Sequence, residues 1–164
     1  MAPFSLITAR RLRHAEGYLG LGMLAEARHE LGAIDAEARH SHEARVLRSD
    51  LHLQAKDWNE LVAEAQAMAR QDPAYEKAWI DWAYALRELN RIAEAKAVLL
   101  EAEPRHGQKS GVLHYNLACY HCLLGEMPEA RARLDRADAL DRDWKKFARE
   151  DTDLAALWAE LRGE

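Results

Sequence analysis

The densest cluster of reactive side chains in this sequence is Cys119-Tyr120-His121-Cys122, with His114 earlier in the same run. Two cysteines three residues apart share a helix face, and in principle such a pair can ligate a soft metal or exchange electrons. The spacing argues against both. At about 100° per residue, His121 lies about 160° around the helix from Cys119 and points away from the thiols. A redox pair usually sits at a helix N-terminus that lowers its thiol pKa, whereas these cysteines fall well inside a helix beginning near Gly111. They read as small apolar residues. His40, His42 and His52 form a second set, on a turn and the helix that follows, without acidic or thiol ligands at regular spacing. Gly17, Gly20 and Gly22 lie inside or at the end of a helix rather than after a strand, so they make no phosphate loop. No nucleophile elbow and no HExxH is present. The acidic residues recur with Arg and Lys at helical spacing, as solvated faces do. The chain therefore reads as non-enzymatic, with no cofactor and no metal.

The elements that must carry these residues are helices. The sequence holds 31 Ala and 23 Leu but only 10 Val, Ile and Thr together, a scarcity of β-branched residues that argues for an all-α chain. At 164 residues and 18.7 kDa it has room for one domain or a short repeat array. With 49% apolar and 31% charged residues, it can build a core. The net charge of −5 is evenly spread, with 9 basic and 11 acidic residues before position 76 and 14 and 17 after it. Without a basic face, nucleic acid and anionic membranes are poor partners. The opening residues place a short apolar patch before their arginines, the reverse of a secretory signal, and no stretch approaches the length of a membrane span. Two closely spaced cysteines fit a reducing compartment. The expected location is cytoplasmic.

Self-similarity organises the chain. Ala15, Ser49, Ala83 and Ala118 are separated by 34, 34 and 35 residues, and three apolar columns keep the same steps. These are Leu24, Trp58, Ile92 and Met127; Leu31, Ala65, Leu99 and Leu134; and Ile34, Met68, Ala102 and Ala137. A fifth column, Gly22, Lys56, Asn90 and Gly125, falls between helix-periodic runs where a left-handed turn residue is wanted. Gly and Asn suit that conformation; Lys56 suits it poorly.

This helix–turn–helix period resembles the tetratricopeptide repeat. The third copy matches best, with Trp79, Trp82, Ala83 and Leu86, then Ala95, Leu99 and Ala102. The fourth follows with Leu117, Ala118, His121, Gly125, Ala130, Leu134 and Ala137. Arg11 and His14 of the first copy stand where the family has large apolar residues, as expected of a terminal repeat with no earlier neighbour. In the second copy Leu61 and Ala65 exchange the usual small and large volumes. The resemblance implies a right-handed α-solenoid. The expected organisation is an N-terminal extension over 1–7, repeats at about 8–41, 42–75, 76–109 and 111–144, and a capping helix over 145–164. Nine helices are expected, the last capped by Asp151 or Thr152 and carrying Leu154, Leu157, Trp158 and Leu161.

The resemblance also implies a concave groove lined by the first helix of each pair, where a partner protein's extended segment or helix binds. By phase, the lining is Leu12, Glu16 and Leu19; Val46, Asp50 and Leu53; Ile80, Tyr84 and Arg87; and Tyr115, Cys119 and Cys122, with Lys77 and Asn116 nearby. Glu16 and Asp50 should make one end acidic, and Arg87 the other more basic. Leu12 and Glu16 replace the Lys and Asn with which related domains grip acidic chaperone tails, which argues against that role. The function expected is a protein-interaction adaptor. The alternatives are a self-associating structural protein, pairing through Phe4, Leu6, Ile7 or Trp158, and a small chaperone.

Overall fold

The computed structural model describes residues 5–141 and 143–162, all of them helix, turn or irregular, without a strand. Phe4 lies outside the described residues. Eight long helices come as antiparallel pairs: α1 (Leu6–Gly20) and α2 (Leu24–Gly32), α3 (His42–Ala55) and α4 (Trp58–Gln71), α5 (Glu76–Glu88) and α6 (Ile92–His106), α7 (Gly111–Leu123) and α8 (Met127–Leu140). Residues 42–73, the least regular copy in sequence, form the expected helical pair. None of the helices described is long and apolar enough to cross a membrane.

Serines start three of the first helices. The hydroxyls of Ser5, Ser41 and Ser110 accept from the backbone N–H of Thr8, Ala44 and Leu113, satisfying donors that a helix start leaves free. The turns within the pairs obey the fifth column. Gly22, Lys56, Asn90 and Gly125 all have positive φ, at 70°, 58°, 59° and 77°. Lys56 holds a left-handed conformation that a side chain disfavours, because the chain must reverse there as it does in every other repeat.

The small column packs as its spacing predicts: Ala15, Ser49, Ala83 and Ala118 are buried, letting neighbouring helices approach. Leu61 and Ala65 are both fully buried, so the volume exchange in the second repeat is accommodated. Two hydrophobic clusters result among the described residues. One spans α1 to α3 around Leu12, Leu19, Leu31 and Leu51; the other runs from α4 to the C-terminus around Trp79, Trp82, Leu86, Leu99 and Leu117.

The C-terminal segment differs from the single helix expected. It is two short helices, α9 (Trp144–Ala148) and α10 (Ala155–Arg162), joined through a 3-10 turn at Thr152–Leu154, which brings the described α-helices to ten. Asp151 caps that turn by accepting from Asp153 N–H at 2.9 Å. Trp144 of α9 packs over the start of α7, where a Cβ on Gly111 would fall 2.5 Å from the indole nitrogen, so only glycine admits this contact. Trp158 of α10 donates its indole N–H to Ala148 O at 2.7 Å, tying the two short helices together.

Candidate functional site

The first helices of successive pairs pack side by side, and the two ends of the face they form differ. Leu12 and Leu19 of α1 belong to the small cluster, while Val46, Leu53, Ile80 and Tyr115 are half-buried against the large one. Between α1, α3 and Tyr75 an open cavity of about 670 Å³ is walled by Leu12, Val46, Leu47 and Tyr75 and edged by Arg13, Glu16, His42 and Glu43. His42 meets the Tyr75 ring edge-on at 4.8 Å. Arg13, His42, Glu43 and Tyr75 are not among the expected lining. His42 is within reach of the pattern, one turn before Val46 on the same stripe. Glu43 and Arg13 sit beside the stripe, and Tyr75 precedes α5, where helical periodicity carries no information.

Asp50 is less free than its place in the column implied. Lys77 Nζ lies 3.0 Å from Asp50 and 2.5 Å from Asp81, and Asp81 also accepts from the Ser49 hydroxyl at 3.2 Å. Burial pushes the Asp81 carboxyl above the ordinary carboxylate range, with Lys77 opposing it. The network joins α3 to α5 and leaves Glu16 and Glu43 as the acids facing the cavity.

Further along, the chain covers its own groove. Arg87 donates through two nitrogens to Asp153 and through a third to Glu88 at 2.6 Å, so it is not the open basic end expected. The acidic partner of Arg87 is supplied from within the molecule. Tyr115 donates to Asp151 at 2.6 Å and stacks on Trp144 at 4.7 Å; burial raises its phenol pKa, helped by Asp151. Leu154 and Leu157 complete the cover by entering the large cluster. Tyr84, Arg87 and Asn116 remain beside a smaller cavity of about 280 Å³, roofed by Asp151 and Asp153. Tyr84 is exposed, with its ring edge-on to Trp58.

Cys119 and Cys122 are buried, and burial raises both thiols above their ordinary pKa, which disfavours the reactive thiolate. Cys119 Sγ lies 3.7 Å from Asp151, and Cys122 Sγ 3.9 Å from Met127 Sδ. His121 turns its Nδ1 to Glu126 at 2.5 Å, and His114 turns its Nε2 to Gly107 O at 2.8 Å, so neither faces the thiols. Among the described residues, Cys119, Asp151 and Asp153 are the one group whose ligand atoms converge, within 4.8 Å, and Arg87 already neutralises its Asp153. His40 turns to Arg45 at 3.3 Å, His42 to Tyr75 and His52 towards Asp57 at 3.5 Å, so these three histidines do not converge.

No family model matches the chain, and no curated protein matches it. Among solved structures it is similar to TTC0263, described as a thermophilic TPR protein in Thermus thermophilus, with 21% identity and a TM-score of 0.70 over 94% of this chain and 82% of that one. This chain has the tetratricopeptide-repeat fold. It is also similar to MamA AMB-1, with 20% identity and a TM-score of 0.70 over 80% and 71% of the two chains. For MamA MSR-1 the values are 14% and 0.71 over 96% and 88%. Within this tetratricopeptide fold, the first-helix face holds an open cavity of about 670 Å³ between α1 and α3 and, between α5 and α7, a smaller one of about 280 Å³ partly covered by the C-terminal turn.

Proposed function

We propose that the protein is a non-enzymatic interaction adaptor that holds a segment of a partner protein, extended or helical, on the N-terminal half of its inner face. The observation that carries this reading is the open 670 Å³ cavity between α1 and α3, with apolar walls for anchoring side chains and Arg13, Glu16 and Glu43 at its edge for orientation. Glu16 and Glu43 outnumber Arg13, so the partner segment carries apolar anchors and a basic residue opposite these acids. Leu12, Val46 and Glu16 keep their expected roles in this reading. Arg87, Tyr115, Cys119 and Cys122 serve instead to seat the chain's own C-terminal turn.

A partner captured from the native host is the material for the test. Glu16→Arg and Tyr75→Ala are each expected to weaken its binding at least about fivefold, as hot-spot aromatics and oriented charges do. Arg87→Ala is expected to leave affinity within about twofold, since Arg87 faces Asp153. Unchanged affinity in both cavity variants, with folding intact, would remove the site from this face. Self-association has its own support in Leu6 and Ile7, 89% and 57% exposed, and Phe147, 64% exposed, which leave apolar surface at both ends of the solenoid. A dimeric mass in solution that reverts to monomer on Leu6→Lys would favour that reading.

A further inference from the structure

A second cavity, of about 510 Å³, opens between α2, α3 and α4 and shares no residue with the groove. Helix α3 serves both: Val46 and Leu47 face the groove, while Arg45, Arg48 and His52 face this second space. In a chain of net charge −5, the lining gathers Arg28, Arg39, Arg45 and Arg48 around a single carboxylate, that of Glu64.

The charges do not balance. Glu64 accepts from Arg45 at 2.9 Å and from Arg48 at 3.0 and 3.1 Å, so one carboxylate serves two guanidiniums. Arg28 reaches Asp57 at 2.8 Å through one nitrogen, and Arg39 is exposed with no ion pair among the described residues. Counting Asp57 with Glu64 against the four arginines leaves an excess of two positive charges. Hydrogen-bond donors are in excess as well. Arg45 Nε is buried without a hydrogen-bond partner among the described residues. Arg45 and Arg48 stand in the repeat columns that hold Trp79 and Trp82 one period later. Arginines facing a carboxylate at a packing position stabilise a fold no better than well-packed apolar residues, so stability does not account for them. In the first repeat the matching pair, Arg11 and His14, faces Glu30 without further arginines.

We propose that this cavity binds a phosphate group, free or esterified to a small organic molecule. Guanidinium forks match phosphate oxygens in pairs, and a dianion balances the excess charge. The volume exceeds that of a bare phosphate, and Leu31 and Leu51 give a small ester body an apolar wall. The exposed Arg28 and Arg39 close on the anion from the rim, with Arg45 and Arg48 behind it.

The test is titration calorimetry of the full chain with sodium phosphate and with glycerol 3-phosphate, at constant ionic strength held by chloride. Saturable binding with a Kd at or below about 1 mM is expected for at least one of them. Tighter glycerol 3-phosphate assigns the site to an ester, and equal affinity to the phosphate group alone. Arg28→Ala with Arg39→Ala should weaken binding at least about tenfold, and the paired Lys substitutions should restore part of it. As a second variant, Gly32→Glu places a carboxylate on the lining at a position where an added Cβ meets nothing within 4 Å, and should give the same loss. Absence of saturable heat with both anions, or wild-type affinity in a folded variant, overturns the proposal.

Discussion

The second and third repeats share a backbone plan and fill its interior in opposite ways. In the second, Arg45 and Arg48 of α3 clamp Glu64 of α4; in the third, the same columns hold Trp79 and Trp82 of α5 against Val98 of α6, with the indoles 5.9 Å apart. The first repeat follows the ionic version, with Arg11 and His14 on Glu30. The groove cavity of about 670 Å³ and the arginine-lined cavity of about 510 Å³ lie in the ionic half, and the dense cluster capped by Leu154 and Leu157 lies in the aromatic half. The contrast teaches a division of labour. Apolar rings remove surface from water and contribute most of the stability, whereas ion pairs keep a hairpin together at small net gain and leave polar, accessible space.

The most severe way to break the comparison is Trp82→Ala, expected to cost about 3 to 5 kcal/mol in urea unfolding because the third repeat has no polar substitute for the ring. Leu154→Ala should cost about 2 to 4 kcal/mol, since that side chain is fully buried and its loss uncaps the large cluster. A cost below about 1 kcal/mol would mean that the C-terminal turn is only loosely seated. Glu64→Ala should cost about 1 to 2 kcal/mol by leaving two guanidiniums unopposed, whereas Glu64→Met with Arg48→Leu should recover part of it, Arg45 alone remaining unopposed. Failure of that double variant to recover would show that the ion pairs are indispensable to the second repeat.

A smaller effect sharpens the view of the second repeat. Lys56→Gly should stabilise the chain by about 0.5 kcal/mol, because Lys56 holds φ 58° where Gly22 and Gly125 serve in other repeats. The smallest effect is electrostatic. The hydrogen bond from Arg133 holds the Glu103 carboxyl below its ordinary pKa of 4.5, with burial opposing. A carboxylate lowered in the fold contributes stability that is present above 4.5 and lost as pH falls through the folded value. In Glu103→Gln, the decline in stability below pH 4.5 should therefore be shallower than in the parent chain.

Much of the fold is legible because a repeat states each rule several times. The small column and the turn column each recur, and the structure places both, Lys56 included, where the spacing predicts. The candidate site is legible only in its first half. Leu12, Glu16 and Val46 follow helical phase into the open cavity, whereas Tyr75 lies before a helix and gives no periodic signal. Arg87 reads as a free surface group because its helix face is set locally, while its occupant, Asp153, lies 66 residues away.

The sequence by itself determined the all-helical class, the repeat period and the left-handed turns, because these depend on neighbours within a turn or within one period. Only the tertiary structure decided which part of the first-helix face stays open. The C-terminal segment reads as an ordinary amphipathic cap, and nothing local states that Asp151 and Asp153 will reach Tyr115 and Arg87. That choice comes from the superposition of distant surfaces, where buried leucines hold the turn against α7 and the charges then find their partners.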